Sequence, residues 1–316
     1  MFEIVLLDAA TLGGDMDLSV FEQFGRLTVY RTSAPSEIAD RAADADVILT
    51  NKCRLNAETL QKASHLKLIC VAATGFDNID TAYCRSKNIG VTNVKGYSTD
   101  SVAQLTVGMV LNLIMHLVDF NAFVRDGSYT ASGVPNRLFP AFRELRGKTW
   151  GIVGAGNIGG QVARVAEALG AHVVVCRRSQ DPVYETLPLD ELCRVSDIIS
   201  LHVPLNDSTR GMIGRKQLAL MKDGVILVNV ARGAVTDEAA VSEAVQSGRI
   251  GGLGVDVYSA EPMPADHPLY PIKDDPNVFL TPHMAWGAYE ARKRCLAEMC
   301  ENIAAYLRGE KRCRVD

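Results

Sequence analysis

Gly154, Gly156 and Gly159 stand in the run WGIVGAGNIGG (150–160) at the spacing G-x-G-x-x-G. An apolar stretch precedes them and an amphipathic stretch follows as far as Gly170, so the segment reads as strand, tight turn and helix start. In that setting the first glycine permits the turn and the second lets a pyrophosphate approach the backbone. The third lets the helix pack on the strand, and the helix N-terminus turns N–H groups and a positive dipole end toward the phosphates. Plain turns also use glycine, but apolar runs at 149–153 and 172–176 frame this one as a strand–turn–helix–strand unit for a dinucleotide. About 20 residues past the first glycine, where Asp or Glu would bond a ribose 2′-hydroxyl, the chain carries Arg177, Arg178 and Ser179. Two guanidiniums and a hydroxyl suit a 2′-phosphate, which favours NADP over NAD.

Three further residues have chemistry to offer. Arg232 follows VILVNVA, Glu261 follows GVDVYSA and His283 follows VFLTP. Each preceding run reads as a strand, and parallel strands bring their carboxyl ends to one edge of one sheet. There an imidazolium at His283 could protonate a carbonyl oxygen as hydride reaches its carbon. Glu261 could orient the ring and favour its charged form, and Arg232 could grip a carboxylate through two hydrogen bonds and polarise the carbonyl beside it. Spacing alone leaves plainer readings open: a structural histidine, a turn at Glu261-Pro262, and the start of a helix at Arg232-Gly233.

The elements that would position these groups alternate along the chain. Strands are expected at 2–8, 46–49, 66–73 and 89–92, with a helical stretch leading into 26–30 and helices at 34–43 and 56–63. A long helix is expected over 100–125, then a loop at 127–140. Past the glycine unit, strands are expected at 197–203, 225–230, 253–258 and 278–281. Helices should lie at 215–221 and 237–247, with a last charged one at 288–307. Such alternation implies βαβ units and an α/β class. The two long helices flanking 130–285 read as hinges between two α/β domains.

The chain has 316 residues, enough for two domains, and its net charge of −4 gives no basic footprint for nucleic acid. Eight cysteines lie scattered without C-x-x-C pairs or Cys/His clusters, which points to a reducing compartment and argues against a structural metal. The N-terminal MFEIVLLDAA lacks a basic n-region, and the apolar stretch 101–118 is interrupted by Gln104, Asn112 and His116, so it reads as a buried helix. A cytoplasmic protein is expected.

The chain resembles the D-isomer-specific 2-hydroxyacid dehydrogenases. The likeness rests on ATGFDNID (73–80), GYSTDSVAQ (96–104), GIVGAGNIGG (151–160), HVPLNDSTRGMI (202–213), VNVARGAVTDE (228–238), GLGVDVYSAEP (252–262) and TPHMAW (281–286), in family order. GYSTDSVAQ and TPHMAW bring it nearest the glycerate dehydrogenase (hydroxypyruvate reductase) branch.

The resemblance implies two Rossmann-like domains. The larger, 97–285, would be a doubly wound parallel-sheet NAD(P)-binding domain, inserted into a smaller flavodoxin-like substrate domain formed by 1–96 and 286–316. It implies that Arg232, Glu261 and His283 are catalytic, and that the loop of Thr74, Gly75 and Phe76 holds a substrate carboxylate together with Arg232. Cofactor contacts would fall on Gly154, Gly156, Asn157, Ile158, Gly159, Arg177, Arg178, Val203, Pro204 and Ala231, and on Asp256 for the nicotinamide amide. The implied reaction is hydride transfer between NADP or NAD and a small 2-oxo/D-2-hydroxy acid, hydroxypyruvate or glyoxylate first, in a homodimer without nucleic-acid or membrane partners. Arg177 replaces the Asp of NAD-preferring relatives, and Glu261 replaces the Gln of formate dehydrogenases. Lys52 resembles a residue near the cleft in the glycerate branch or is an ordinary surface lysine, and Trp286 either walls the substrate site or packs the final helix. One rival is an NAD(H)-sensing, corepressor-like regulator. A methyltransferase binding S-adenosylmethionine at the glycine loop is another, which the basic strand end disfavours.

Overall fold

The computed structural model describes residues 2–316. The chain divides into two compact units, one formed by residues up to Ser98 with Gly287–Asp316, the other by Thr99–Trp286.

The first unit carries five parallel strands: β1 (Phe2–Leu6), β2 (Gly25–Val29), β3 (Val47–Thr50), β4 (Leu68–Val71) and β5 (Gly90–Thr92), in the order β2-β1-β3-β4-β5. VILT in β3 and LICV in β4 are buried at every residue, the continuous apolar run of a parallel sheet covered on both faces. Ile38 of α1 (Pro35–Arg41) and Cys84 of α2 (Thr81–Ser86) join Leu7, Ile48, Ile69 and Val91 in one core. The helix Tyr289–Leu307 buries Cys295, Met299 and Ile303. Residues 313–316 cover the β5 edge: Thr92 bridges Arg314, the Val315 N–H donates to Val91 O at 2.9 Å, and the Asp316 carboxylate accepts the Val91 N–H at 2.7 Å. Residues 56–63, expected as a helix, form successive turns. The Asn56 side chain accepts the N–H groups of Glu58 and Thr59 at 3.1 and 3.0 Å, a local alternative to the helical ladder.

The second unit carries seven parallel strands: β6 (Thr149–Val153), β7 (His172–Cys176), β8 (Glu185–Thr186), β9 (Ile198–Leu201), β10 (Val225–Asn229), β11 (Ile250–Val255) and β12 (Val278–Leu280). Their order is β12-β11-β10-β9-β6-β7-β8, so the chain reverses its direction of travel between β6 and β9. Open sheets of this kind take ligands outside the carboxyl ends at that reversal. α3 (Thr99–Met115) lies in the core through Val102, Met109, Val110 and Leu113, with Trp150, Ile152 and Val162.

The helix expected over 100–125 is broken. His116 adopts a left-handed conformation (φ 52°), and α4 (Leu117–Arg125) leaves α3 at 64°. Asn112 takes the Val118 N–H on its side-chain oxygen at 3.2 Å, and α4 has no buried residue. No single helix among the described residues is long and apolar enough to cross a membrane. Neither β8 nor a helix at Leu189–Val195 is among the expected elements; both are short.

Candidate active site

The three glycines have three different surroundings. Gly154, directly after β6, has φ 94°, and a Cβ there would come within 2.8 Å of the His202 carbonyl carbon and oxygen. Only glycine fits that turn and that approach. At Gly159 a Cβ would collide with Gly154 O, so helix Asn157–Ala168 can lie on β6 only without a side chain there. At Gly156, the residue before that helix, a Cβ would meet nothing within 4 Å, and no side chain caps the helix start. The loop therefore leaves a cradle in front of free helix-end N–H groups, at the reversal of strand order. A dinucleotide pyrophosphate fits this donor set.

The flanks of the cradle differ in charge. Past β7, Arg177 pairs with Asp181 (Nη1–Oδ2 2.7 Å), and Arg178 and Ser179 are exposed. Past β9 come His202, Val203 and Pro204. His202 Nε2 lies 2.9 Å from Ser200 Oγ, which accepts the Trp150 indole N–H at 2.9 Å. The enclosed His202 Nδ1 has no hydrogen-bond partner among the described residues, and burial pushes the imidazole down to about 3, so it is uncharged at neutral pH.

The ends of β10, β11 and β12 are joined by hydrogen bonds. His283, in the left-handed region (φ 52°), places Nδ1 2.7 Å from Glu261 Oε2, and Glu261 Oε1 accepts the Tyr258 N–H at 3.0 Å. Tyr258 donates its hydroxyl to Thr281 O at 2.9 Å. The carboxylate of Asp256, 1% exposed, accepts the Thr281 hydroxyl (2.6 Å) and the N–H groups of Met284 (2.8 Å) and Ala285 (2.9 Å). Burial pushes the Asp256 carboxyl up, while these donors pull it down. Trp286 donates its indole N–H to His283 O at 3.0 Å. Arg232 donates from Nη1 to Ala231 O at 2.8 Å. Its turn is shaped by buried Asn229, which accepts the Ala231 N–H at 3.0 Å and donates to Arg232 O at 2.9 Å. A Cβ at Gly233 would collide with the Tyr258–Ser259 peptide, so the arginine turn lies directly on the segment that leads to Glu261.

In the other unit, Thr74, Gly75 and Phe76 follow β4. The Thr74 hydroxyl donates to Val94 O (2.8 Å), and Asn93 donates its amide to Thr74 O (2.7 Å). Lys52 follows β3 and donates its backbone N–H to the buried Asp8 carboxylate at 2.6 Å.

Residues 107–285 match the family model described as D-isomer specific 2-hydroxyacid dehydrogenase, NAD binding domain. The chain is 35% identical to a hydroxypyruvate reductase of Blautia hydrogenotrophica, with 97% of each chain covered. It is 37% identical to a glycerate dehydrogenase of Methylorubrum extorquens, with 88% of each covered. The chain belongs to the D-isomer specific 2-hydroxyacid dehydrogenases.

Two solved structures agree with this assignment. An acyclic imino acid reductase in complex with NADPH and D-Arg superposes with a TM-score of 0.87 at 28% identity, covering 99% of this chain and all of that one. A D-lactate dehydrogenase from Aquifex aeolicus complexed with NAD and lactic acid gives 0.85 at 30% identity, covering 98% and 96%. As a D-2-hydroxyacid dehydrogenase, the protein is an oxidoreductase that moves a hydride between a nicotinamide cofactor and a 2-hydroxy or 2-oxo acid.

In this dehydrogenase the sequence pointed to the three charged strand ends, and the structure brings Glu261 and His283 into contact. It also adds Asn229, which the sequence did not single out, and gives Asp256 and Trp286 contacts beyond those expected of them. Asn229 shapes the Arg232 turn, and Asp256, expected at the nicotinamide amide, engages both oxygens with the turn carrying His283. Trp286, open between a substrate wall and helix packing, ties down that same turn. For Asn229 the one available signal was its position at the end of a strand.

Proposed function

We propose that this dehydrogenase reduces small 2-oxo acids to D-2-hydroxy acids, with hydroxypyruvate and glyoxylate as its first substrates and NADPH preferred over NADH. The observation that carries the reading is the His283–Glu261 contact of 2.7 Å, with Glu261 held from behind by the Tyr258 N–H. Relatives named hydroxypyruvate reductase, glycerate dehydrogenase and glyoxylate reductase support the substrate class.

When bound, the nicotinamide supplies the hydride. His283 gives the substrate oxygen its proton from Nε2, since Nδ1 is engaged by Glu261, and that carboxylate steadies the imidazolium. Arg232 grips the substrate carboxylate and polarises the neighbouring carbonyl. The loop of Thr74, Gly75 and Phe76 offers backbone N–H donors suited to a substrate carboxylate, which supports reading its unit as the substrate domain and Thr99–Trp286 as the cofactor domain.

Gly154, Gly156, Asn157, Ile158 and Gly159 cradle the pyrophosphate, with Val203, Pro204, Ala231 and Asp256 along the ribose and nicotinamide. Arg177 and Arg178 support binding of a 2′-phosphate at the end of β7. A homodimer fits the apolar surface on 115–142, where Leu117, Val118, Val124, Leu138, Phe139 and Phe142 are all exposed. The fold and the scattered free cysteines fit a cytoplasmic enzyme.

The test is loss of nicotinamide absorbance with NADPH or NADH against glyoxylate, hydroxypyruvate and a bulky 2-oxo acid. Turnover should be fastest with NADPH and the two small acids, and Arg177→Asp should shift the cofactor ratio toward NADH by about tenfold. Turnover confined to bulky acids, or a ratio indifferent to Arg177→Asp, would overturn the substrate and cofactor parts respectively.

A further inference from the structure

Behind Glu261 lies a second histidine–carboxylate pair that the reaction does not use. His267 Nε2 is 3.1 Å from Glu238 Oε2, with side chains 2% and 6% exposed. The proton on His267 is fixed by its surroundings: Nδ1 accepts the Leu269 N–H at 3.2 Å, so Nε2 carries the hydrogen. Ser259 Oγ lies 3.2 Å from the same Nε2, and Glu238 Oε1 accepts the Ser259 N–H at 3.0 Å. Glu238 opens the helix Glu238–Gln246, where the dipole favours a carboxylate.

Glu238 grips the N–H of the Tyr258–Ser259 peptide, and His267 is itself held by the Leu269 N–H. The Tyr258 ring meets His267 edge-on at 5.9 Å between centroids. Tyr258 in turn donates its N–H to Glu261 Oε1 and its hydroxyl to Thr281 O, two residues before His283. The Arg232–Gly233 turn packs on the other side of the same peptide. The Tyr258–Ser259 segment thus touches the Arg232–Gly233 turn, the Glu261 carboxylate and the strand end two residues before His283. A buried carboxylate is a poor device for stability alone, because its desolvation offsets most of what it gains. It is a good device for selecting one backbone N–H and holding it in place.

We propose that Glu238 and His267 are positioning residues for the reduction: by locking the Tyr258–Ser259 peptide they hold Tyr258, whose own N–H in turn fixes the Glu261 carboxylate against His283. Neither touches substrate or cofactor. The proposal rests on the reading of Glu261 and His283 as the proton-donating pair.

The experiment compares His267→Phe, which keeps the bulk and loses the Nε2 donor, with His267→Gln, which restores a donor near the same point. Each is made in the wild type and in Glu261→Gln, and read by kcat and KM for glyoxylate. NADPH affinity is measured by fluorescence, and the imidazole N–H proton signal of His283 is followed in ligand-free protein, assigned by its loss in His283→Ala. His267→Phe should lower kcat on the order of 10- to 100-fold, leave the NADPH dissociation constant unchanged and shift the His283 signal. His267→Gln should recover most of the turnover. In the Glu261→Gln background His267→Phe should cost nothing further, because the pair acts through Glu261.

An unchanged kcat and His283 signal in His267→Phe, or a full additional loss on top of Glu261→Gln, would overturn the proposal. Full turnover in Glu261→Gln alone would instead remove the reading of Glu261 beneath it. Should His267→Phe fail to fold, Ser259→Ala removes only the hydroxyl facing Nε2. A shift of the His283 signal with a few-fold fall in kcat then supports the proposal, and no change in either overturns it.

Discussion

Both parallel sheets of this protein have a point where strand order reverses, and the two points are finished in opposite ways. In the smaller sheet the reversal lies between β1 and β3, and Asp8 follows β1. Its carboxylate, 4% exposed, accepts the backbone N–H groups of Asn51, Lys52 and Cys53 at 2.6 to 3.2 Å and the Thr50 hydroxyl at 3.2 Å. In the larger sheet the reversal lies between β6 and β9, and Gly154 follows β6. There the donors belong to the start of helix Asn157–Ala168, which no side chain among the described residues caps, and a Cβ at Gly156 would meet nothing within 4 Å. One topology twice produces a cluster of donors suited to an anion. The residue at the strand end decides who provides that anion, the chain itself at Asp8 or a ligand at the glycine loop.

That contrast can be broken deliberately. Gly156→Asp would place a carboxylate in the open cradle and make the larger reversal point resemble the smaller. Gly156 sits in extended backbone (φ −85°, ψ −152°) with room for a side chain. The fold should therefore survive, gaining a few tenths of a kcal/mol from an Asp cap on the helix. NADPH affinity should fall by about 100-fold or more, about 3 kcal/mol, measured by fluorescence titration beside a thermal melt. A variant that binds NADPH normally would show that the cradle is not the pyrophosphate site.

The converse change should have a smaller effect and a different target. Asp8→Ala leaves buried N–H groups without their acceptor and should destabilise the smaller unit by about 2–3 kcal/mol. Urea unfolding would read that loss, with NADPH affinity unchanged. If Asp8→Ala is neutral for stability, the carboxylate is not the internal substitute for a ligand that the contrast makes it.

Legibility in the sequence followed the range of the interactions. The glycine turn was readable because its three constraints act within six residues, and the strands because β3, β4 and β10 are apolar but for a terminal Thr50 and Asn229, and β9 but for Ser200. The charged strand ends were readable as a candidate set because parallel strands share an edge, and the family resemblance singled them out over the plainer readings. What escaped depends on distant partners. The hydrogen bonds of Asp256 span 25 to 29 residues, and that between Glu238 and Ser259 spans 21. No local pattern announces them. The helix expected over 56–63 failed for the opposite reason, a very local one: Asn56 offered its own side chain to the next turn. His116 broke the long helix with a single left-handed residue inside an otherwise helical pattern, where propensity gives little warning.

The most direct test of the account concerns His283. In His283→Ala, kcat for glyoxylate reduction should fall by about 10²- to 10⁴-fold, while the NADPH dissociation constant stays within about twofold of wild type. Turnover that survives the substitution, or NADPH binding that disappears together with it, would contradict the assignment of His283 as the proton donor.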